Sequence, residues 1–477
     1  SHLDLDSDLP GDIAFTRGAL LAALRRAIDR DLAPSAENVR VADTYYPARD
    51  QGANARIHAA IASARRTRSH RHTASVRRAA DRMGAAFYRR LRRSRAYVPL
   101  AKAVLRATSA LPRDERRVVF ESGVGRQFGD SPRAIYEEVL RSRPDLRPVW
   151  AYNGRPADIG GGAEVVRRLS LRYFAHLGRA RYWVSNQSLP HYVHSDARRV
   201  YLQTWHGTPL KRMLHDLDHV TGRDEGYVDR ATEAAQQWTV LLSPNPYSSA
   251  IMRSAFRYRG EIAELGYPRN DVLFGEARAA AEARVRRTYR LGTGTRIVLF
   301  APTFRDDQLG DRRARGPAGN IDPLAFARAF GDDAVLLVRK HVLDRTAVVI
   351  PDAASQSVRD ASAYPDTQDL LAAADVLITD YSSLFFDFAN LRRPMIFHAP
   401  DLERYRDQLR GFYLDMDADL PGPVTRTGPE VIDAIRTALD QGELPGYDLD
   451  AFADLYCPRD DGAAAARVVE RYMRDEG

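Results

Sequence analysis

The feature that most constrains this chain is a rhythm of short apolar runs, each followed by a helical stretch, that occurs twice. In the first round Val118-Val119-Phe120, Pro148-Val149-Trp150-Ala151, Tyr182-Trp183-Val184-Ser185 and Tyr201-Leu202-Gln203-Thr204-Trp205 read as strands. Pro132 to Leu140 reads as a helix between the first two, with a proline in its first turn. The second round runs through Arg296–Phe300, Ala334–Val338, Val376–Thr379 and Pro394–Phe397. Such a strand-helix alternation builds a parallel sheet covered by helices on both faces. Two rounds predict an α/β chain of two nucleotide-fold-like domains around one cleft, with the seam near residues 260–275. In open sheets of this type ligands lie beyond the carboxyl ends of the strands, which is where the polar clusters fall.

The length, 477 residues, accommodates two or three domains. No apolar run reaches the length of a membrane span. A single cysteine, Cys457, excludes a disulfide scaffold and an all-cysteine metal site. The first residues do not read as a secretory signal. The chain opens with Ser1-His2 rather than Met, which predicts a natural beginning further upstream.

Charge is unevenly spread. The net charge is +8, yet residues 65–106 hold thirteen arginines and one lysine against one acid, Asp81, so the rest of the chain is net negative. Residues 1–62 read as short helices and loops, and residues 63–112 as helical. There Arg77, Arg78, Arg89, Arg90, Arg92 and Arg93 flank Phe87, Leu91 and Val98. A basic helix with apolar residues suits an anionic bilayer surface, and a solvated face packed on the body is the plainer alternative. No base-reading module follows it, so nucleic acid is not the expected partner. Arginine is abundant throughout and only Lys102, Lys211 and Lys340 are lysine.

Four clusters carry candidate chemistry. Trp205-His206-Gly207-Thr208-Pro209-Leu210-Lys211 follows a strand, so His206 is either a general base in the cleft or the cap of a turn. Gly266-Tyr267-Pro268-Arg269-Asn270-Asp271 is a turn at the seam, either a linker or a place where Arg269 and Asn270 face a donor. Lys340-His341 ends a strand with two donors that suit a phosphate, though a dipeptide also arises by chance. Thr379-Asp380-Tyr381-Ser382-Ser383 runs into an apolar helix, so the serines are N-caps, part of an anion site, or both. Asp306 and Asp307 could hold a divalent ion but on a loop are more simply solvated. The chain lacks a G-x-x-x-x-G-K-[ST] loop, a G-x-S-x-G elbow after a strand, an H-E-x-x-H zinc motif and a dinucleotide fingerprint.

Taken in order, Trp205–Lys211, Gly266–Asp271, Ala301-Pro302-Thr303-Phe304-Arg305-Asp306, Ile378–Ser383 with Phe386-Asp387, Arg410-Gly411-Phe412-Tyr413 and Leu420-Pro421-Gly422-Pro423 resemble the bacterial CDP-glycerol glycerophosphotransferases of teichoic-acid synthesis. The likeness runs from about residue 115 to 445. It implies a GT-B-like fold of two Rossmann-type domains with a helical N-terminal extension. The implied divisions are 1–112 (basic extension), 113–265 (acceptor domain), 266–445 (donor domain) and 446–477 (helices returning to the core). It implies transfer of a polyol phosphate from CDP-glycerol or CDP-ribitol to a lipid-linked or polymeric hydroxyl, with release of CMP. By this likeness His206 is the base and His341 lies beside the donor pyrophosphate. Arg269, Asn270, Thr303, Arg305, Lys340, Thr379, Asp380, Ser382 and Ser383 attend the donor, and Lys211 and Thr208 attend the acceptor or a phosphate. Two details depart from the family's pattern: Val342 stands where proline is frequent, and Phe304 where tryptophan is common. With this much protein charge available, no cofactor and little metal requirement are expected; loss of activity in EDTA and rescue by magnesium would contradict that. Residues 65–106 imply a peripheral place on the cytoplasmic face of an anionic membrane. A GT-B glycosyltransferase or sugar-nucleotide epimerase is the competing reading.

Overall fold

The structure, a computed structural model, describes residues 16–29, 88, 90–156, 159–217, 226–303, 321–331, 333–340, 348–403 and 411–474. The chain divides into two compact units, Ser1–Tyr97 and Val98–Gly477. In the first, helix α1 (Arg17–Asp29) leaves Leu20, Leu21, Leu24 and Ile28 exposed. Most of the basic arm, residues 65–87 and 89, lies outside the described residues. Helix α2 (Tyr97–Ser109) buries Ala101 and Leu105, and Gly178 has no room for a side chain because Thr108 and Leu105 occupy that space. The larger unit therefore begins well before residue 112.

That unit holds two parallel sheets. The early lobe contains β1 (Asp114–Glu121), β2 (Arg147–Ala151), β3 (Glu164–Val166), β4 (Ala180–Ser185), β5 (Val200–Gln203), β6 (Val240–Ser243) and β7 (Glu261–Glu264), ordered 3-2-1-4-5-6-7. The later lobe contains β8 (Arg296–Phe300), β9 (Ala334–Val338), β10 (Val358–Asp360), β11 (Val376–Thr379), β12 (Met395–His398) and β13 (Val424–Thr425), ordered 10-9-8-11-12-13. Both reverse direction beside their first strand, between β1 and β4 and between β8 and β11. Such reversals open a crevice at the strand ends. Register is tight there: Phe120 pairs with Val184, and Ile378 with Phe300.

The runs read as strands are the buried ones. β9, β11 and β12 are buried at every position, as are the last four residues of β8. One cluster packs Val118, Phe120, Trp150, Val184 and Leu242 with Val468 and Val469 of the closing helix α3 (Ala464–Tyr472) and with Met473 just after it, so this C-terminal helix returns to the early lobe. Another packs Leu299, Leu337 and Leu377 with Phe385, Phe386, Phe452 and Tyr456. Each fully buried aliphatic or aromatic side chain contributes roughly 1.5–3 kcal/mol, which is ample to fix both sheets.

Candidate active site

His206 sits two residues past the β5 neighbour Thr204, whose amide continues the sheet edge by donating to Ser185 O at 2.9 Å. Trp205 is held at φ 56°, a strained value for a bulky residue. The Gln203 side chain accepts its amide at 3.0 Å, and its ring lies 4.2 Å from His206 and 5.0 Å from Phe256. Strain of this kind persists where the surroundings over-determine it. Here it aims the imidazole into the cleft.

His206 Nδ1 lies 2.9 Å from the Asn186 carbonyl. A carbonyl can only accept, so Nδ1 carries the proton and Nε2 keeps its lone pair. Nε2 makes no hydrogen bond with any described residue. The surrounding protein mass lowers the imidazole's pKa, opposed by the Asn186 carbonyl and Asp130 and assisted by Arg269. The ring itself remains exposed to the cleft.

The two lobes meet at this turn. A Cβ on Gly207 would fall 2.8 Å from Ser383 Oγ and 3.6 Å from an Arg269 terminal nitrogen. Ser383 precedes a short helix (Leu384–Ala389) without capping it through its side chain, whereas Ser382 Oγ accepts the Leu384 amide at 3.3 Å. Both serines line a cleft of about 740 Å³ together with His206, Arg269 and Arg339.

A polar chain spans the seam. Asn186 Nδ2 donates to Asp130 Oδ2 at 2.8 Å, Asp130 meets Arg269 at 3.4 Å, and Arg269 forks onto Asp387 at 2.8 and 2.9 Å. Burial disfavours the Arg269 charge, but the Asp387 and Asp130 carboxylates outweigh it and raise its pKa. Arg269 thus aligns the lobes, its fork already filled by carboxylate. Asn270 is buried and saturated, donating to Asp460 at 2.7 Å and accepting from Gln368 at 2.8 Å.

Other candidates stand behind the cleft. Thr379 Oγ1 donates to Ala301 O at 2.8 Å, and Asp380 Oδ1 accepts the amides of Thr303 at 2.7 Å and Tyr381 at 2.6 Å. These bonds tie the β8 and β11 ends together and set the angle of the serine turn. The Lys340 amide donates to Ser362 Oγ at 3.1 Å, Lys211 bridges to Phe412, and Thr208 is buried. None of these six lines the cleft, nor does Asn270. His341, Arg305, Asp306 and Asp307 lie outside the described residues.

The residue next to Lys340 supplies what the lysine does not. Arg339 Nη1 donates to the carbonyls of Tyr364 at 2.8 Å and Ala361 at 3.3 Å. Its Nε–Nη2 edge bonds to no described residue, and burial lowers its pKa. A guanidinium edge of this kind matches a phosphate in a bidentate way. Sequence reading missed it, with Asp130, Asn186, Arg126 and Arg155, because single arginines in an arginine-rich chain carry no signal. Asp130 had one: Asp-Ser-Pro after a glycine marks a helix start. Across the cleft walls five arginines face three aspartates, an excess suited to a diphosphate. Among the described residues no three His, Cys, Asp or Glu side chains are grouped to hold a metal.

Comparison with known proteins agrees with this arrangement. The family model described as CDP-Glycerol:Poly(glycerophosphate) glycerophosphotransferase matches residues 103–473. The teichoic acid poly(glycerol phosphate) polymerase of Bacillus subtilis (strain 168) is 36% identical over 79% of this chain, which spans only 51% of that relative. The polymerase of the same name from Bacillus spizizenii is 35% identical, covering 79% of this chain and 96% of its own. A solved structure of the wall teichoic acid polymerase TagF, soaked with CDPG, superposes with a TM-score of 0.72 at 33% identity, covering 79% of this chain and 93% of that one. The expected two-lobed, GT-B-like α/β fold is borne out. The chain belongs to the CDP-glycerol:poly(glycerophosphate) glycerophosphotransferase family.

Proposed function

We propose that this cleft transfers a polyol phosphate, with glycerol phosphate favoured by the names of its relatives, from a CDP-linked donor to a hydroxyl of a teichoic-acid-type acceptor. His206 Nε2 takes the proton from the acceptor hydroxyl. The freed oxygen attacks the phosphorus that bears the polyol, in line with the bond to CMP. That phosphorus–oxygen bond breaks and CMP departs with its electron pair. Arg339 and the Ser382-Ser383 turn steady the charge on the non-bridging oxygens, a task of positioning and electrostatics. His341 acts on the same pyrophosphate, and any metal contribution is read from activity in EDTA with and without magnesium.

The observation that carries this reading is the contact of the His206-Gly207 turn with Ser383, which joins a base on one lobe to an anion-binding turn on the other. The test is CMP or UDP release from CDP-glycerol, CDP-ribitol and UDP-sugars in the presence of acceptor. CMP release from a CDP-polyol is expected, reduced about a hundredfold or more in His206→Ala. Release of UDP alone, or an unimpaired His206→Ala, contradicts it.

The basic arm and the exposed Leu20-Leu21-Leu24-Ile28 face support a peripheral place on the cytoplasmic side of an anionic membrane. Among the described residues no helix is long and apolar enough to cross a membrane. Flotation with phosphatidylglycerol vesicles tests this. Deletion of residues 65–96 is expected to abolish it, as is high salt; equal flotation after deletion contradicts it. The deletion stops at 96 because Ala101 and Leu105 belong to the buried core.

A further inference from the structure

One wall of the cleft is not used by the chemistry above. It is the loop after β1, of which residues 126–130 all line the cavity. Its backbone is forced: Gly123, Val124 and Gly125 stand at φ 52°, 56° and 73°, and Asp130 at 60°. A β-branched residue in this region is strained. Three bonds hold the strain. Gly123 N donates to Asn186 Oδ1 at 3.0 Å, Gly125 N to Ser122 O at 2.9 Å, and Asn153 N to Gly125 O at 2.7 Å. The last bond ties the β2 loop to this one, and Arg155 of that loop lines the cleft as Arg126 does. Asn186 also holds His206 through its carbonyl. One residue therefore sets both the base and this loop.

Four of the cleft's five arginines divide by what already neutralises them. Arg269 is filled by Asp387, and Arg133 by Glu137 at 2.8 Å and Asp366 at 3.0 Å. Arg339 sits on the later lobe, where the donor pyrophosphate belongs. Arg126 is exposed on the early lobe and makes no ion pair with any described residue. A strained loop that presents an uncommitted guanidinium beside the base has a use if the acceptor is itself anionic.

We propose that the β1 loop, through Arg126, with Arg155 lining the same cleft, is a binding site for the phosphodiester that flanks the reacting hydroxyl of the acceptor. The inference rests on the transfer reaction proposed above. A chain of polyol phosphates carries one such phosphodiester next to its terminal hydroxyl. Holding it on the early-lobe wall turns that hydroxyl toward His206 Nε2, while the donor stays on the opposite wall. Lys211 and Thr208, expected from the family likeness to attend the acceptor, do not line the cleft; Arg126 does.

The experiment uses the full chain, CDP-glycerol, and two synthetic acceptors: one ending in glycerol phosphate, the other its neutral methylphosphonate analogue. Wild type is expected to favour the anionic acceptor about tenfold or more in kcat/KM, the size of one charge-assisted hydrogen bond. Arg126→Gln is expected to erase most of that preference through acceptor KM, with KM for CDP-glycerol moving less than about twofold. Arg155→Gln shifts it in the same direction. Arg126→Glu reverses the preference at low salt and regains part of it as salt rises. A preference untouched by Arg126→Gln overturns the proposal, as does a defect confined to donor KM. Absence of CMP release by wild type with either acceptor would instead defeat the transfer reading itself.

Discussion

At the scale of single residues, the site depends on an imidazole whose tautomer is set by a main-chain carbonyl. The surrounding protein lowers the His206 pKa, so the neutral base persists to lower pH than a free histidine would allow. Activity should therefore rise with pH along a limb centred below 6.5 and then level off. Asp130 pulls that pKa upward, so Asp130→Asn should move the limb to lower pH. A limb above 6.5, or one moved upward by Asp130→Asn, contradicts the assignment; the measurement is CMP release against pH at saturating donor. The place of His206 at the cleft was legible in the sequence because a histidine and a glycine directly follow an apolar strand, a pattern that fits a base and a turn cap alike. Arg339 and Arg126 were not. A guanidinium becomes informative only when its partners are known, and arginines without motifs surround it on every side. Lys340 attracted notice by rarity, while its neighbour faces the cleft.

At the scale of elements, the seam turn is held by a segment nearly two hundred residues away. Asp460 Oδ1 accepts the Tyr267 amide at 2.7 Å, its Oδ2 accepts from Asn270 at 2.7 Å and Asn390 at 3.1 Å, and Asp271 accepts the amides of Ala464 and Ala465 at 2.9 and 2.8 Å. Gly266 makes the approach possible: at φ 84°, a Cβ would meet Arg459 O and Asp460 Oδ1 at 2.6 Å. Gly266→Ala should destabilise the protein by roughly 1–3 kcal/mol, seen as a lower Tm, and should loosen the turn that carries Arg269. An unchanged Tm contradicts the clasp. Glycine, proline and asparagine announced a turn here, but nothing local announced its partner. The same limit governs strands. β8, β9, β11 and β12, apolar but for Arg296, Thr379 and His398 at their ends, were readable, whereas β3, β10 and β13 are two- or three-residue edges with polar residues such as Glu164 and Arg359. Tertiary pairing, rather than composition, makes them strands.

At the scale of the whole molecule, two sheets with the same reversal of strand order turn their crevices toward each other, and the chemistry divides between them. In the proposed reaction the early lobe supplies the base and the grip on the acceptor, and the later lobe supplies the serine turn and Arg339 for the donor. The Arg269–Asp387 and Arg269–Asp130 contacts keep the two halves in register. The two lobes and the cleft between them were foreseeable from the doubled rhythm; which residues of each polar cluster face inward was not, since Thr379 and Asp380 turn back to brace the sheet.

The most direct test is a crystal structure of the protein with CDP-glycerol bound. The account predicts the diphosphate against Ser382, Ser383 and the Arg339 fork, with the polyol-bearing phosphorus facing His206 Nε2 across the seam. A nucleotide seated away from both lobes' contributions, or with its diphosphate turned from His206, would contradict it.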